Sequence, residues 1–144
     1  MSVSRSAERV RGDIVRLAHS GLDSVTLRRE AAARLRRVVP AASYGFVTVD
    51  PATLLLTGSV RENIADATVT CLAHNEYAED DFNKISDLFL RRPPVGTLSE
   101  ETGGRLASST RYRTIFEPLG WGDELRAAFV SAGLCWGFIC LHRD

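Results

Sequence analysis

Lysine is almost missing from this 144-residue chain: Lys84 stands alone among 18 basic residues. The remainder is arginine, which reads as GC-rich coding and not as chemistry. Cysteine is scarce as well. Cys71, Cys135 and Cys140 are odd in number and irregular in spacing, which excludes a disulfide framework and fits a reducing cytoplasm. In a strand pattern Cys135 and Cys140, five apart, are expected on opposite faces, where they cannot bridge. Long apolar runs are absent, so nothing approaches the ~20 residues of a membrane span. The first 20 residues interleave Arg5, Arg9, Arg11 and Arg16 with acids, which is no signal peptide. Net charge is absent too, with 18 basic against 18 acidic residues, and gives no sign of a nucleic-acid partner. There is no internal repeat and no low-complexity tract.

Catalytic signatures are equally sparse. No Ser-His-Asp elbow, phosphate-cradling glycine loop or pair of catalytic carboxylates is present. Cys71-x-x-His74 has metal-ligand spacing, but a structural zinc site needs four ligands and no second compact pair exists. Cys135 and Cys140 lie beside Trp136 and Phe138, where a thiol behaves as a small hydrophobe. No enzyme, metal or cofactor is expected. Asp123 and Glu124 read as structural partners of Arg126 or Arg143.

What is present is an ordinary globular composition, 44% hydrophobic, in a chain long enough for one self-sufficient core. The charge is uneven. Residues 1–40 hold nine Arg and four acids; residues 41–144 hold nine basic groups and fourteen acids. Val10, Ile14 and Leu17 fall at helical spacing between residues 5 and 19, and Gly21 stops that helix. Asp23 caps a second helix with the stripe Leu27, Ala31, Leu35, Val38, its opposite side bearing Arg28, Arg29, Arg36 and Arg37. Strands are expected over 44–49 and 54–60, with Gly58 at a bulge. A weak helical pattern covers 61–78. Asp80 caps a helix with Phe82, Ile85 and Phe89 on one face, stopped by Pro93-Pro94. A capped helix runs from Ser109 to Phe116. Two last strands, 124–130 and 134–142, close through a three-residue turn, Ser131-Ala132-Gly133. Helices flanking a hairpin-built sheet mean α+β.

The last third carries four phrases in order: Ser109-Thr-Arg-Tyr112, Pro118-Leu-Gly120, Asp123-Glu-Leu-Arg126, and Trp136-Gly with Leu141 and Arg143. Together they resemble the end of a GAF-like sensor domain, and more narrowly the N-terminal sensor of LuxR-type helix-turn-helix transcription regulators. The resemblance spans roughly residues 28–143. It implies a GAF-like fold: an antiparallel sheet of about five or six strands, an N-terminal helical layer on one face, loops and short helices on the other. Residues 1–22 would then be an N-terminal helix suited to dimerisation and residues 23–144 the sensor. The DNA-binding helix-turn-helix of such regulators does not follow in this chain, so the chain alone is expected not to bind DNA specifically.

The family fold encloses a small-molecule pocket. Candidate pocket residues are Tyr44, Phe46, Phe82, Phe89, Tyr112, Phe116, Arg126, Phe129, Trp136 and Phe138, with Tyr112, Arg113 and Arg126 as polar anchors. The same residues also suit a filled core, and in that reading Trp136→Ala costs roughly 3–5 kcal/mol. Three functions remain open: a cytoplasmic sensor of an unidentified small molecule that signals through a homodimer, a structural dimerisation module with a filled pocket, and a thiol redox enzyme. The stripe of the first helix calls for cover, either from a partner's identical helix or from the chain's own sheet.

Overall fold

The computed structural model describes residues 4–144. The chain divides between Ala41 and Ala42 into two compact units. The first holds α1 (Arg5–Ala18) and α2 (Ser24–Leu35). Ser4 Oγ caps α1 by accepting from Ala7 N, and Asp23 caps α2 by accepting from Thr26 N. Gly21, at φ 78°, turns the chain between them. The two helices pack on each other. Val10 is buried, while Val15, Leu22 and Val25 stay exposed. Arg28, placed by periodicity on a solvated face, is buried instead, its Nε donating to Ser24.

The second unit is built on a five-stranded sheet in the order β2-β1-β5-β4-β3, with every pair antiparallel. The strands are β1 (Ser43–Val49), β2 (Leu56–Glu62), β3 (Val95–Thr97), β4 (Asp123–Ser131) and β5 (Leu134–Arg143). Between them lie α3 (Asp66–Ala78), α4 (Ile85–Leu88), α5 (Leu98–Glu101), a 3₁₀ turn (Leu106–Ser108), a π-helical turn (Tyr112–Phe116) and α6 (Glu117–Leu119). The Ser109–Phe116 helix is therefore real but wider than α: Glu117 N reaches back five residues to Tyr112 O. Gly120, at φ 77°, ends it as the Pro118-Leu119-Gly120 turn requires.

Three expectations change. The helix after Asp80 shrinks to the four residues of α4, because Asn83 takes φ 55° and breaks the helical path. Asp80 caps nothing; the buried Glu76 does the capping, its Oε1 accepting from Ile85 N at 2.7 Å. The closing turn has two residues: Ala132 and Gly133 both sit at positive φ, and Ser131 pairs with Leu134. The irregularity in β2 falls at Thr57, next to Gly58, because Thr48 pairs with Gly58 and Val49 with Leu56.

A second irregularity has larger consequences. Phe129 pairs with Gly137 but Val130 pairs with Cys135, so Trp136 is the extra residue of a β-bulge. The extra residue resets side-chain alternation. Cys135 therefore joins Cys140 in one buried cluster, with Val49, Ile85, Leu88, Ala128 and Phe138. The expectation of opposite faces fails for that reason; all three thiols are free.

Register sorts the sheet into two faces. One carries Ser43, Gly45, Val47, Glu124, Arg126, Ala128, Phe138, Cys140 and His142; the other carries Tyr44, Phe46, Leu125, Ala127, Phe129, Ile139 and Leu141. On the second face Phe46 and Phe129 stack across β5, rings 4.9 Å apart and nearly parallel. A Cβ on Gly137 would lie 2.3 Å from the Val47 carbonyl oxygen, which is backbone and cannot swing aside. Gly137→Ala is expected to destabilise by about 1–3 kcal/mol through this overpacking. Urea unfolding measures it, and a cost under about 0.5 kcal/mol contradicts the clash.

Candidate functional site

The face bearing Gly45 and Arg126 encloses a cavity of about 190 Å³. Strands β1, β2, β4 and β5 form its floor. One side comes from α3, where Val69, Leu72, Ala73 and Glu76 recur at positions i, i+3, i+4 and i+7 and so share one helix face. Ile64 and Leu56 complete the apolar part. Gly45 leaves open space: a Cβ there would first meet the Ile64 side chain at 3.7 Å. The cavity exists because small residues, Gly45, Gly58 and Ala73, line it where larger ones would fill it.

The polar end of the cavity belongs to a buried charge network. Arg111 is 0% exposed. Its Nε donates to Glu124 Oε1 at 3.2 Å, Nη1 to Asn75 Oδ1 at 2.9 Å and Nη2 to the Phe82 carbonyl at 2.8 Å. Glu124 Oε1 also lies 2.9 Å from Arg126 Nε, though that N–H is not aimed along a hydrogen bond. Arg126 Nη1 donates to Glu76 Oε2 at 2.9 Å. His142 joins Glu124 Oε2 through Nε2 and Ser43 Oγ through Nδ1, each at 3.0 Å. Its ring stacks on Trp121 at 4.2 Å and meets Phe116 edge-on. Asp81 ties the outer end, accepting from Asn75 Nδ2, Ser109 Oγ and Arg111 N at 2.7–2.9 Å.

These contacts set the protonation states. Burial alone would raise the pKa of Glu124, but Arg126, Arg111 and His142 outweigh it and hold the carboxyl far below the usual carboxylate range. Asp81 is lowered likewise: its hydrogen bonds from Ser109, Asn75 and Arg111 N overcome desolvation. Arg126 is raised well above its ordinary value, since Glu124 offsets burial. Burial pushes the Cys140 thiol up to about 12, and Cys135 also rises. Neither is a nucleophile near neutral pH.

Of the ten candidate pocket residues, Arg126 and Phe138 line this cavity. Tyr44, Phe46 and Phe129 project from the opposite face of the sheet. Phe82, Tyr112 and Phe116 pack with Leu98, Ile115 and Trp121, and Phe89 packs with the cluster around Phe138. Arg113 is exposed and donates to the Ala107 carbonyl. Trp136 stands half in solvent, 49% exposed, its Nε1 on Ser131 O at 3.3 Å. The expected cost of its truncation is revised accordingly: Trp136→Ala should lose less than about 1 kcal/mol. A chemical melt decides, and a loss near 3 kcal/mol would restore the indole to the core.

The α3 wall, Glu76, Asn75, Asp81 and His142 escaped the sequence reading. The i, i+3, i+4, i+7 spacing from Val69 to Glu76 was the available signal; Thr68 and Thr70 obscured it. The structural pairing foreseen for Asp123 and Glu124 is present, Glu124 with Arg126 and Asp123 with Arg143. The recurring phrases acquire a physical meaning. Ser109 and Arg111 of the first, and Glu124 and Arg126 of the third, are members of one buried network.

No protein-family model matches this sequence, and no curated protein matches it. Solved structures do match. The ligand-binding domain (LBD) of VqsR from Pseudomonas aeruginosa aligns with a TM-score of 0.62 at 16% sequence identity, over 97% of this chain and 81% of that one. At this identity the likeness shows a shared α+β fold.

Proposed function

We propose that this chain is the small-molecule-sensing domain of a LuxR-type transcription regulator, a GAF-like module that signals without catalysing a reaction. The cavity between α3 and the sheet carries this reading: it is mostly apolar, has few polar groups, and lies on a sheet face held rigid by Arg111 and Glu124. The fold shared with the VqsR ligand-binding domain and the ordered phrases from Ser109 to Arg143 support it. The buried, protonated thiols of Cys135 and Cys140 argue against the redox enzyme. An open cavity argues against the filled dimerisation module. Among the described residues no helix is long and apolar enough to cross a membrane.

Sensing would work by linkage: a ligand that favours one conformation shifts the population toward it. A ligand at about 100 times its Kd should raise stability by about 2.7 kcal/mol. The test is a thermal-shift screen of small molecules on the wild type and on Ala73→Phe, which fills the cavity. Compounds that stabilise only the wild type support sensing. Compounds that stabilise both alike, or none at all, defeat it.

The signal would pass through a homodimer built on α1. Val15, 46% exposed, and Leu22 and Val25 leave apolar surface on the helical unit that a second copy can cover. Val15→Glu is expected to turn a micromolar dimer into a monomer in sedimentation. A wild type that is already monomeric, or a variant that remains dimeric, removes α1 from the interface. DNA contact would fall to a helix-turn-helix outside these 144 residues.

A further inference from the structure

The sensing reading leaves the ligand open, and the charged groups of the cavity narrow it. Arg61, Glu76, Glu124, Arg126 and His142 all line it. The last four are buried and serve one another. Arg126 Nη1 is on Glu76, its Nε lies against Glu124, and His142 is turned to Glu124 and Ser43. An anion arriving at Arg126 would compete with two internal carboxylates for one guanidinium.

Arg61 is placed differently. Its side chain is 33% exposed, and its ion-pair partner Asp66 is 93% exposed. An ion pair in solvent is weak and readily exchanged. Asp66 also stands in the first turn of α3, where a carboxylate is favoured with or without Arg61. Arg61 Nε donates to the Ile64 carbonyl at 3.1 Å and Nη2 to Asp66. Among the described residues that uses two of its five N–H donors, and Nη1 keeps both of its own. Ser59, two residues earlier on the same strand face, adds a hydroxyl to the lining.

Register gives the distance between the two charged ends. Arg61 lies opposite Gly45, Gly45 opposite Cys140, and Cys140 opposite Arg126. Arg61 and Arg126 therefore stand three strand spacings apart, roughly 14 Å at the backbone. The open place above Gly45 lies between them. At such a separation the buried charges act weakly on a head group at β2, whichever form His142 takes. Ile64, Val69 and Leu72 roof the middle and demand an apolar body. The volume, about 190 Å³, suits a single ring with a short chain, not a long acyl tail.

Resting on the sensing reading, we infer that the cavity takes a small carboxylic acid, its carboxylate held by Arg61 in place of Asp66 and its apolar body over Gly45 beneath α3. Asp66 is the internal competitor that the ligand displaces into solvent.

The experiment uses three probes of one shape: phenylacetate, phenethyl alcohol and phenethylamine, which are anionic, neutral and cationic at neutral pH. Calorimetric titration and thermal shift are read on the wild type and three variants. Phenylacetate should bind the wild type about tenfold or more tighter than either other probe. Ala73→Phe should abolish that binding, which places it in the cavity. Arg61→Gln should erase the advantage of phenylacetate while the alcohol binds as before. Asp66→Asn removes the competitor and should tighten phenylacetate about twofold to fivefold, again without effect on the alcohol. If Arg61→Gln does not fold, the wild-type ranking and Asp66→Asn decide. The alcohol or the amine binding as tightly as phenylacetate overturns the acid assignment and leaves sensing intact. So does phenylacetate binding that survives Ala73→Phe, or that Asp66→Asn fails to tighten. No binding of any probe overturns the assignment, and an empty library screen beside it overturns sensing as well.

Discussion

Arg111→Ala is expected to cost about 3–5 kcal/mol, the largest loss of any single truncation outside the apolar core. A guanidinium with no exposed surface here serves Glu124, Asn75 and the Phe82 carbonyl at once, and its backbone N–H serves Asp81. Removing it does more than delete those bonds. It leaves Glu124 to Arg126 and His142 alone, takes from Asp81 a guanidinium 3.9 Å away, and leaves the Asn75 Oδ1 and Phe82 carbonyl oxygens without their buried donor, which costs more than the lost hydrogen bonds themselves. Total stability for a domain is only about 5–15 kcal/mol, so the variant should be barely folded at 37 °C. Lysine should not rescue it, because one ammonium group cannot reach the three directions of the fork. Urea unfolding at neutral pH gives the number. A loss below about 1 kcal/mol would mean that the network is ornamental to stability.

Acid is expected to unfold the protein through the same network. Glu124 and Asp81 both have folded pKa values below their ordinary ones. A carboxylate lowered on folding adds stability that is fully present above its unfolded pKa of about 4 and is lost as pH falls through the folded value. Stability should therefore be flat from neutral pH down to about 5, then fall steeply below about 4. Glu124→Gln cannot titrate at that position and removes the buried negative charge that Arg111, Arg126 and His142 share, so it should lose about 3–5 kcal/mol at neutral pH. It should also show a shallower acid limb than the wild type. Denaturant melts across this range provide both readings. Parallel acid limbs for the two proteins would assign the acid sensitivity to other groups.

Local chemistry alone determined much of this protein. Ser4, Asp23 and Gly21 punctuate the helical unit through capping oxygens and a left-handed turn, which depend on neighbours a few residues away. Strand alternation in 44–49 and 124–130 and the glycine at Gly133 announced the sheet and its last hairpin. The pairing of Glu124 with Arg126 was legible because two residues in a strand share a face. What failed was whatever depends on distant register. The bulge at Trp136 moves one side chain into solvent and returns Cys135 to the face of Cys140, and nothing in a period-two pattern records an inserted residue. β3 has three residues, too few to alternate, and exists because Ala127 and Leu125 offer it an edge. Alternation puts Tyr44 and Phe46 on one face of β1, but only the sheet order tells which side bears the cavity, and it is the other one. Asp81, Arg111, Glu124 and His142 lie up to 61 residues apart in sequence. Each alone reads as a cap, a surface charge or a strand-end residue. Tertiary structure made them one network, because charges removed from water persist only where the fold brings opposite charges together.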